Sequence, residues 1–293
     1  MKQKNSKIRQ VVGGFLPVVA VMLLQEGVSL VGAEIAFLLS AMEFNGGGIE
    51  DFLHGLQNRI GNATFNATLL LIYSVLGVLI FGWWFYKKKS ELSWRSMSLQ
   101  GFDKRTLVVG IVLFVMGSQV MAAFITRALG IVFPEWLVVY EQLMKTSGFA
   151  SENPSVSLLV ITILYGCILG PVTEELVFRG LSLGYMKKSG TFFSANLVQA
   201  LLFAGFHLNM LQASYAFLLG LVLGLVAYRT GSVMLTILLH MAFNTSSLIF
   251  GGLFDASTRQ GPMLSAVILI VAMMCVYVSI PMLITSKPIA REK

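Results

Sequence analysis

The chain has 293 residues, of which 56% are hydrophobic and only 12% charged, and its mean hydropathy is +0.79. A soluble domain carries about 25% charged residues, so the composition excludes one and indicates a polytopic membrane protein. The net charge of +7 and pI near 9.5 do not point to nucleic acid, because the basic residues gather in short loops rather than on one amphipathic face.

A span needs roughly 20 predominantly apolar residues. Such runs lie near 11–42, 67–86, 106–132, 156–186, 192–210, 213–229, 231–252 and 263–285, which predicts an all-α bundle of about eight transmembrane helices. The basic start followed by an apolar run resembles a signal peptide. No small-residue cleavage site follows and the run continues too far, so it is read as a retained first span.

Sorting the basic residues gives an orientation. If eight spans alternate, Lys2, Lys4, Lys7, Arg9, Lys87, Lys88, Lys89, Arg95, Lys104, Arg105, Lys187, Lys188, Arg229, Lys287, Arg291 and Lys293 fall on one side. Only Arg59, Arg127, Lys145 and Arg259 fall on the other, and Arg179 lies within a span. The positive-inside rule then puts both termini in the cytosol. The run Lys87-Lys88-Lys89 is most simply a topology signal in contact with lipid headgroups.

In the first span, Glu26 and Glu34 share one helical face. They could line an ion or substrate path, but a helix projecting into water explains Glu34 more simply. The outer segment 43–66 reads as a solvated loop with room for a short helix. Its Asn62-Ala-Thr64 and Asn66-Ala-Thr68 match the glycosylation acceptor pattern, which carries little weight so near a membrane surface. A second outer loop, 133–154, has an amphipathic portion from Trp136 to Met144, and Trp136 and Tyr140 suit an interfacial position. Nothing in either loop looks catalytic. Cys167 and Cys275 lie in apolar segments with no disulfide or metal spacing, which fits packing.

The fourth span carries Gly170-Pro-Val-Thr-Glu-Glu-Leu-Val-Phe-Arg-Gly180, with three charges at membrane depth. Each costs at least ~2.5 kcal/mol on insertion scales, and such residues usually mark function. Pro171 cannot donate to the carbonyl of Cys167, so a kink or locally opened helix is expected just before Glu174. Glu175 and Arg179 have the favourable i, i+4 order for a pair. Glu174 is turned about 100° away and is left without a partner within the motif. A buried pair that only fixes packing is the plainer alternative. Two acids sharing one base favour a division of labour, with Arg179 holding Glu175 and Glu174 acting as a base.

His207 and His240 fall in later spans, with Asn244 one turn beyond His240 on the same face. Either histidine alone is more simply a packing residue. At ~1.5 Å of rise per residue, Glu174 lies about 20 Å from the basic end of its span, His207 about 18 Å, His240 about 17 Å and Asn244 about 23 Å. Three helices thus bring polar side chains to a similar level. Gly220, Gly224 and Ala216 form a small-residue ladder for close helix packing.

Glu174-Glu175-x-x-x-Arg179, Phe203-x-x-x-His207 and His240-x-x-x-Asn244 resemble, in order, the motifs of the CPBP family. This is the CAAX-protease and bacteriocin-processing (Abi) family of intramembrane proteases, which includes prenyl-protein endopeptidases of the Rce1 type. The resemblance covers roughly residues 155–250. It divides the chain into N-terminal helices and outer loops (1–154), a CPBP-type protease core (155–250) and a final span with a cytosolic tail (251–293).

The resemblance implies a membrane-embedded catalytic cavity reached from the cytosolic side. It also implies hydrolysis in which Glu174 and His207 hold and deprotonate a water, His240 and Asn244 stabilise the oxyanion, and Glu175 and Arg179 orient Glu174. Whether a metal takes part stays open. Glu174, His207 and His240 are candidate ligands for a divalent ion such as Zn²⁺, the His-Glu-x-x-His helix of common zinc proteases is missing from the sequence, and the glutamate mechanism can be written without metal.

The implied substrate is a membrane-associated peptide or protein in the lipid bilayer. It would be a prenylated CAAX-like C-terminus or, in a bacterial plasma membrane, a peptide precursor, bacteriocin or anchored regulator. A non-catalytic scaffold or bacteriocin-immunity protein of the same fold is the alternative. A transporter fits less well, since only one span is broken and no repeat is visible.

Overall fold

The computed structural model describes residues 2–94, 99, 101–151 and 153–285, with residues 2–9 described by their backbone alone. Of the basic residues used for orientation, Arg95, Lys287, Arg291 and Lys293 lie outside the described residues, as does the tail after Thr285.

Among the described residues the fold is helical and no strand occurs. The elements are α1 (Lys2–Met42), α2 (Ile49–Ile60), α3 (Ala63–Lys88), α4 (Lys104–Val132), α5 (Pro134–Thr146), α6 (Val156–Met186), α7 (Phe192–Phe206), α8 (Met210–Thr230), α9 (Val233–Thr258) and α10 (Pro262–Thr285). Seven of them, α1, α3, α4, α6, α8, α9 and α10, are long and apolar enough to cross a membrane. The protein is therefore an integral, multi-pass membrane protein. The predicted fifth span is shorter. At 15 residues α7 is ~22 Å long, against ~30 Å of bilayer hydrocarbon. It stops at His207, Leu208 takes a left-handed turn (φ 51°), and Asn209 already caps α8.

Six of the helix starts are written in a side chain. Asn62, Asp103, Ser155, Thr191, Asn209 and Ser232 accept hydrogen bonds from the first-turn amides of α3, α4, α6, α7, α8 and α9. Such caps satisfy donors that lipid could not. Those bonds hold the Asp103 carboxyl below the usual carboxylate range. The acceptor-like Asn62 and Asn66 have the same structural use: Asn62 caps α3, and Asn66 donates to the carbonyls of Ile60 and Asn62. Between α8 and α9, Gly231 takes φ 68°, the left-handed conformation that lets so tight a connection close.

One buried apolar cluster joins α1, α3, α6 and α7, and a second joins α4, α8, α9 and α10. In the small-residue ladder of α8, Gly220 faces Ala200, and Gly224 lies beneath Asn196 and Gln199 of α7. Gln199 donates to the Gly220 carbonyl (2.9 Å) and Asn196 to that of Leu221 (3.0 Å), so polar side chains clamp the pair. Glu26 and Glu34 are exposed on α1 and line no part of the central cavity.

Candidate active site

The site begins with the shape of α6. Its hydrogen-bond ladder widens to the i→i+5 pattern over Ile163–Leu169 and again over Leu176–Leu183, around one α-helical turn, Gly170–Glu175, that carries the glutamates. The opening expected at Pro171 thus takes the form of two π-helical stretches. The Gly170 amide donates to Tyr165, not to Gly166. Pro171, next in the wide ladder, has no N–H to give. The Gly166 carbonyl therefore lacks both its i+4 and its i+5 donor, and the Asn244 amide of α9 supplies one at 2.8 Å.

On the opposite side, α3 holds the same turn. The Thr173 hydroxyl donates to the Ser74 carbonyl (3.2 Å), and Gly77 makes the approach possible, since a Cβ there would come within 2.5 Å of the Thr173 methyl.

Glu175 and Arg179 are fully buried and joined at 2.7 Å. His240 approaches the same Glu175 oxygen with Nδ1 at 2.9 Å, and its Nε2 stands 3.8 Å from Glu174 Oε2, too far for a direct hydrogen bond. Glu175 thus meets His240, which stands between it and Glu174. An ionised carboxylate only accepts, so Nδ1 carries the proton in this arrangement and Nε2 faces Glu174. His207 is fixed by the same logic. Its Nδ1 lies 2.8 Å from the Phe203 carbonyl, which can only accept, so in the neutral ring Nε2 keeps a lone pair.

Phe203 is the common platform. Its fully buried ring lies beneath the Arg179 guanidinium at 4.2 Å and meets His207 and His240 edge-on, with centroids 4.9 and 5.8 Å apart. An aromatic face so placed favours the cation of an ion pair that has no water to solvate it.

Glu174, His207, His240 and Asn244 all line one cavity of about 230 Å³, well above the room a single water needs. Glu175 and Arg179 lie outside its lining. Among the described residues no three His, Cys, Asp or Glu side chains are gathered closely enough to form a metal ligand set as they stand.

Several helices contribute to this cavity from the half remote from Lys87–Lys89, Lys187, Lys188 and Arg229: Tyr73 and Ser74 of α3, Gly166 and Gly170 of α6, Gln212 and Tyr215 of α8 and Ser247 of α9, while Glu174, His240 and Asn244 lie on the nearer side of the middle of α6 and α9. Tyr140, Leu143 and Met144 of α5, followed by Ser147 and Phe149, complete the wall. The cavity therefore sits toward the end of the bundle opposite the basic loops, and an outer segment that looked inert contributes to it. Tyr165 ties that segment down by donating to the Ser147 carbonyl.

Two lining groups were not anticipated. Gln25 comes from α1, beside the acid that drew notice there. Tyr73 of α3 is 5% exposed, and its hydroxyl is buried with no hydrogen-bond partner. The available signal was a phenol ten residues into an apolar helix, where a polar atom needs a reason.

The comparisons fall on the segment that carries these motifs. Residues 156–246 match the family model described as "Type II CAAX prenyl endopeptidase Rce1-like". An Escherichia coli protein named "Uncharacterized 24.3 kDa protein" is 36% identical over 112 residues, 36% of this chain and 50% of its own length. The "Putative membrane peptidase YdiL" of Bacillus subtilis (strain 168) is 28% identical over 107 residues, 35% of this chain and 44% of its own length. The chain thus spans about half the length of these curated relatives. No solved structure matches it. The part of the chain that holds Glu174, His207 and His240 is an Rce1-like segment.

Proposed function

We propose that this protein is an intramembrane endopeptidase in which Glu174 activates water. One observation carries the reading: of two adjacent glutamates, Glu175 is sealed against Arg179 and His240, while Glu174 keeps 17% of its side chain exposed in a cavity shared with two histidines. A water held between the Glu174 carboxylate and the Nε2 lone pair of His207 loses a proton to Glu174 as it attacks the peptide carbonyl. The charge developing on the carbonyl oxygen needs donors. His240, whose Nε2 faces Glu174, donates from that nitrogen in its doubly protonated form. The unpartnered Tyr73 hydroxyl is a further donor. Asn244 holds the Gly166 carbonyl with one amide hydrogen and has a second for the oxyanion. Glu174 then returns its proton to the leaving amine, which closes the proton balance.

The substrate is a membrane-associated peptide or protein, a CAAX-like C-terminus or a peptide precursor, and a bacterial plasma membrane with both termini cytosolic is the setting proposed. Purified protein in proteoliposomes and Glu174→Gln are compared on quenched peptide libraries, and membrane peptidomes are compared in cells making each form. Loss of cleavage in a folded Glu174→Gln protein supports the proposal. Undiminished hydrolysis by that variant refutes it.

A further inference from the structure

At the other end of the bundle lies a second cavity, of about 540 Å³, that the peptidase chemistry does not use. Its wall combines Lys187 and Lys188 after α6, Phe192 of α7, Tyr228 and Arg229 of α8, and Trp94 from the α3–α4 connection. Three cations thus share one concavity, and among the described residues none of those lining it is acidic.

The three are not alike. Lys188 donates to the backbone carbonyl of Glu91, and Arg229 is exposed at the rim. Lys187 is half-buried, with its ammonium 3.6 Å from the centre of the Trp94 ring. Burial first, and the charge of Lys188 second, push Lys187 down to about 8. An ammonium desolvated beside a second ammonium gains most from an anion. Phe192 and Tyr228 stack across the cavity (4.0 Å, 15°) and make one wall apolar. A flat, strongly charged face would attract any polyanion. A concave site lined by three cations and by a stacked ring pair suits a compact oxyanion attached to an apolar body.

We propose that this cavity binds a phosphate group, contacted by Lys187, Lys188 and Arg229, with the headgroup of an anionic phospholipid as the source its apolar wall favours over free phosphate. The site is also connected to the catalytic helix. Trp94, which carries Lys187 on its face, donates its indole N–H to the Gly180 carbonyl at 2.6 Å, inside the second widened stretch of α6. Gly184 leaves the room for that edge, since a Cβ there would lie 2.9 Å from the indole nitrogen.

The inference is independent of the peptidase reading. Full-length protein, Lys187→Gln/Arg229→Gln and the single variant Arg229→Gln are purified in neutral detergent and delipidated, and their folding is checked by monodispersity and thermal unfolding. Phosphatidylglycerol binding is titrated by native mass spectrometry, with inorganic phosphate in a parallel arm and Lys87→Gln/Lys88→Gln/Lys89→Gln as a control for diffuse charge. The expected result is one tightly held phosphatidylglycerol, weakened at least tenfold in the double variant, at least threefold in Arg229→Gln, and less than twofold in the control. Saturable binding of inorganic phosphate with the same variant dependence, and no preference for the lipid, keeps the phosphate site but makes free phosphate its occupant. Equal weakening in the control, or none in Arg229→Gln, overturns the site, and Arg229→Gln decides the matter if the double variant does not fold.

Discussion

The bond between Asn244 and the Gly166 carbonyl can be tested as a consequence of one proline. In Asn244→Ala the carbonyl, deprived of its in-helix donors by the Gly170–Tyr165 bond and by Pro171, is left unsatisfied in a buried site. The cost of such an orphan is about 1–3 kcal/mol. In Pro171→Ala the new N–H at position 171 can extend the wide ladder to Gly166, so the same Asn244→Ala change should then cost about 1 kcal/mol or less. Taking the middle of the first range, about 2 kcal/mol, the double-mutant cycle should show a coupling of about 1 kcal/mol or more, outside the ~0.5 kcal/mol within which independent sites add. Reversible unfolding of the four proteins in mixed detergent micelles measures it. Strict additivity would show that Asn244 does not answer the gap left by Pro171.

Further expectations concern the rest of the site. Arg179→Met strands Glu175 at zero exposure and should lower unfolding stability by about 3–5 kcal/mol, whereas Arg179→Met/Glu175→Leu should recover much of that loss in the same unfolding assay. Tyr73→Phe removes a hydroxyl with no hydrogen-bond partner among the described residues, so thermal stability should hold or rise while kcat/KM falls about tenfold or more; a fall in stability with unchanged turnover would contradict its proposed role. The proposed glutamate mechanism routes no step through a metal, so chelator treatment, checked by elemental analysis, should leave hydrolysis unchanged, and restoration of lost activity by a stoichiometric metal would overturn that mechanism.

What could be read from the sequence, and what could not, divides along one physical line. Apolar run length placed the long helices to within a few residues, because hydrocarbon thickness dictates it. The Glu175–Arg179 contact followed from i, i+4 spacing, which is a property of one helix. A count of rise per residue gave Glu174, His207 and His240 a common height. Height is not azimuth, however. It could not tell that His240 turns its Nδ1 to Glu175, or that Arg179 lies over Phe203. The widening of α6 was legible only as a disturbance at Pro171, since which carbonyl is orphaned depends on where the ladder shifts upstream. The wall from α5 was invisible for a related reason. An amphipathic segment with Trp136 and Tyr140 can lie on a membrane surface or fold over a cavity, and only the position of Tyr165 beneath Ser147 selects the second.

The cavity draws its wall from two sources. The proposed reacting groups and their supports come from residues 156–246, whereas Gln25, Leu70, Tyr73, Tyr140 and Leu143 belong to helices outside that segment. Substitutions in α1 and α5 can reshape what a bound peptide touches without disturbing the Arg179–Glu175–His240 chain. On the proposed reading, one set of reacting groups can thus be fitted with interchangeable vestibules, so proteins that match the same Rce1-like model and differ elsewhere are expected to share a chemistry and diverge in the peptides they accept.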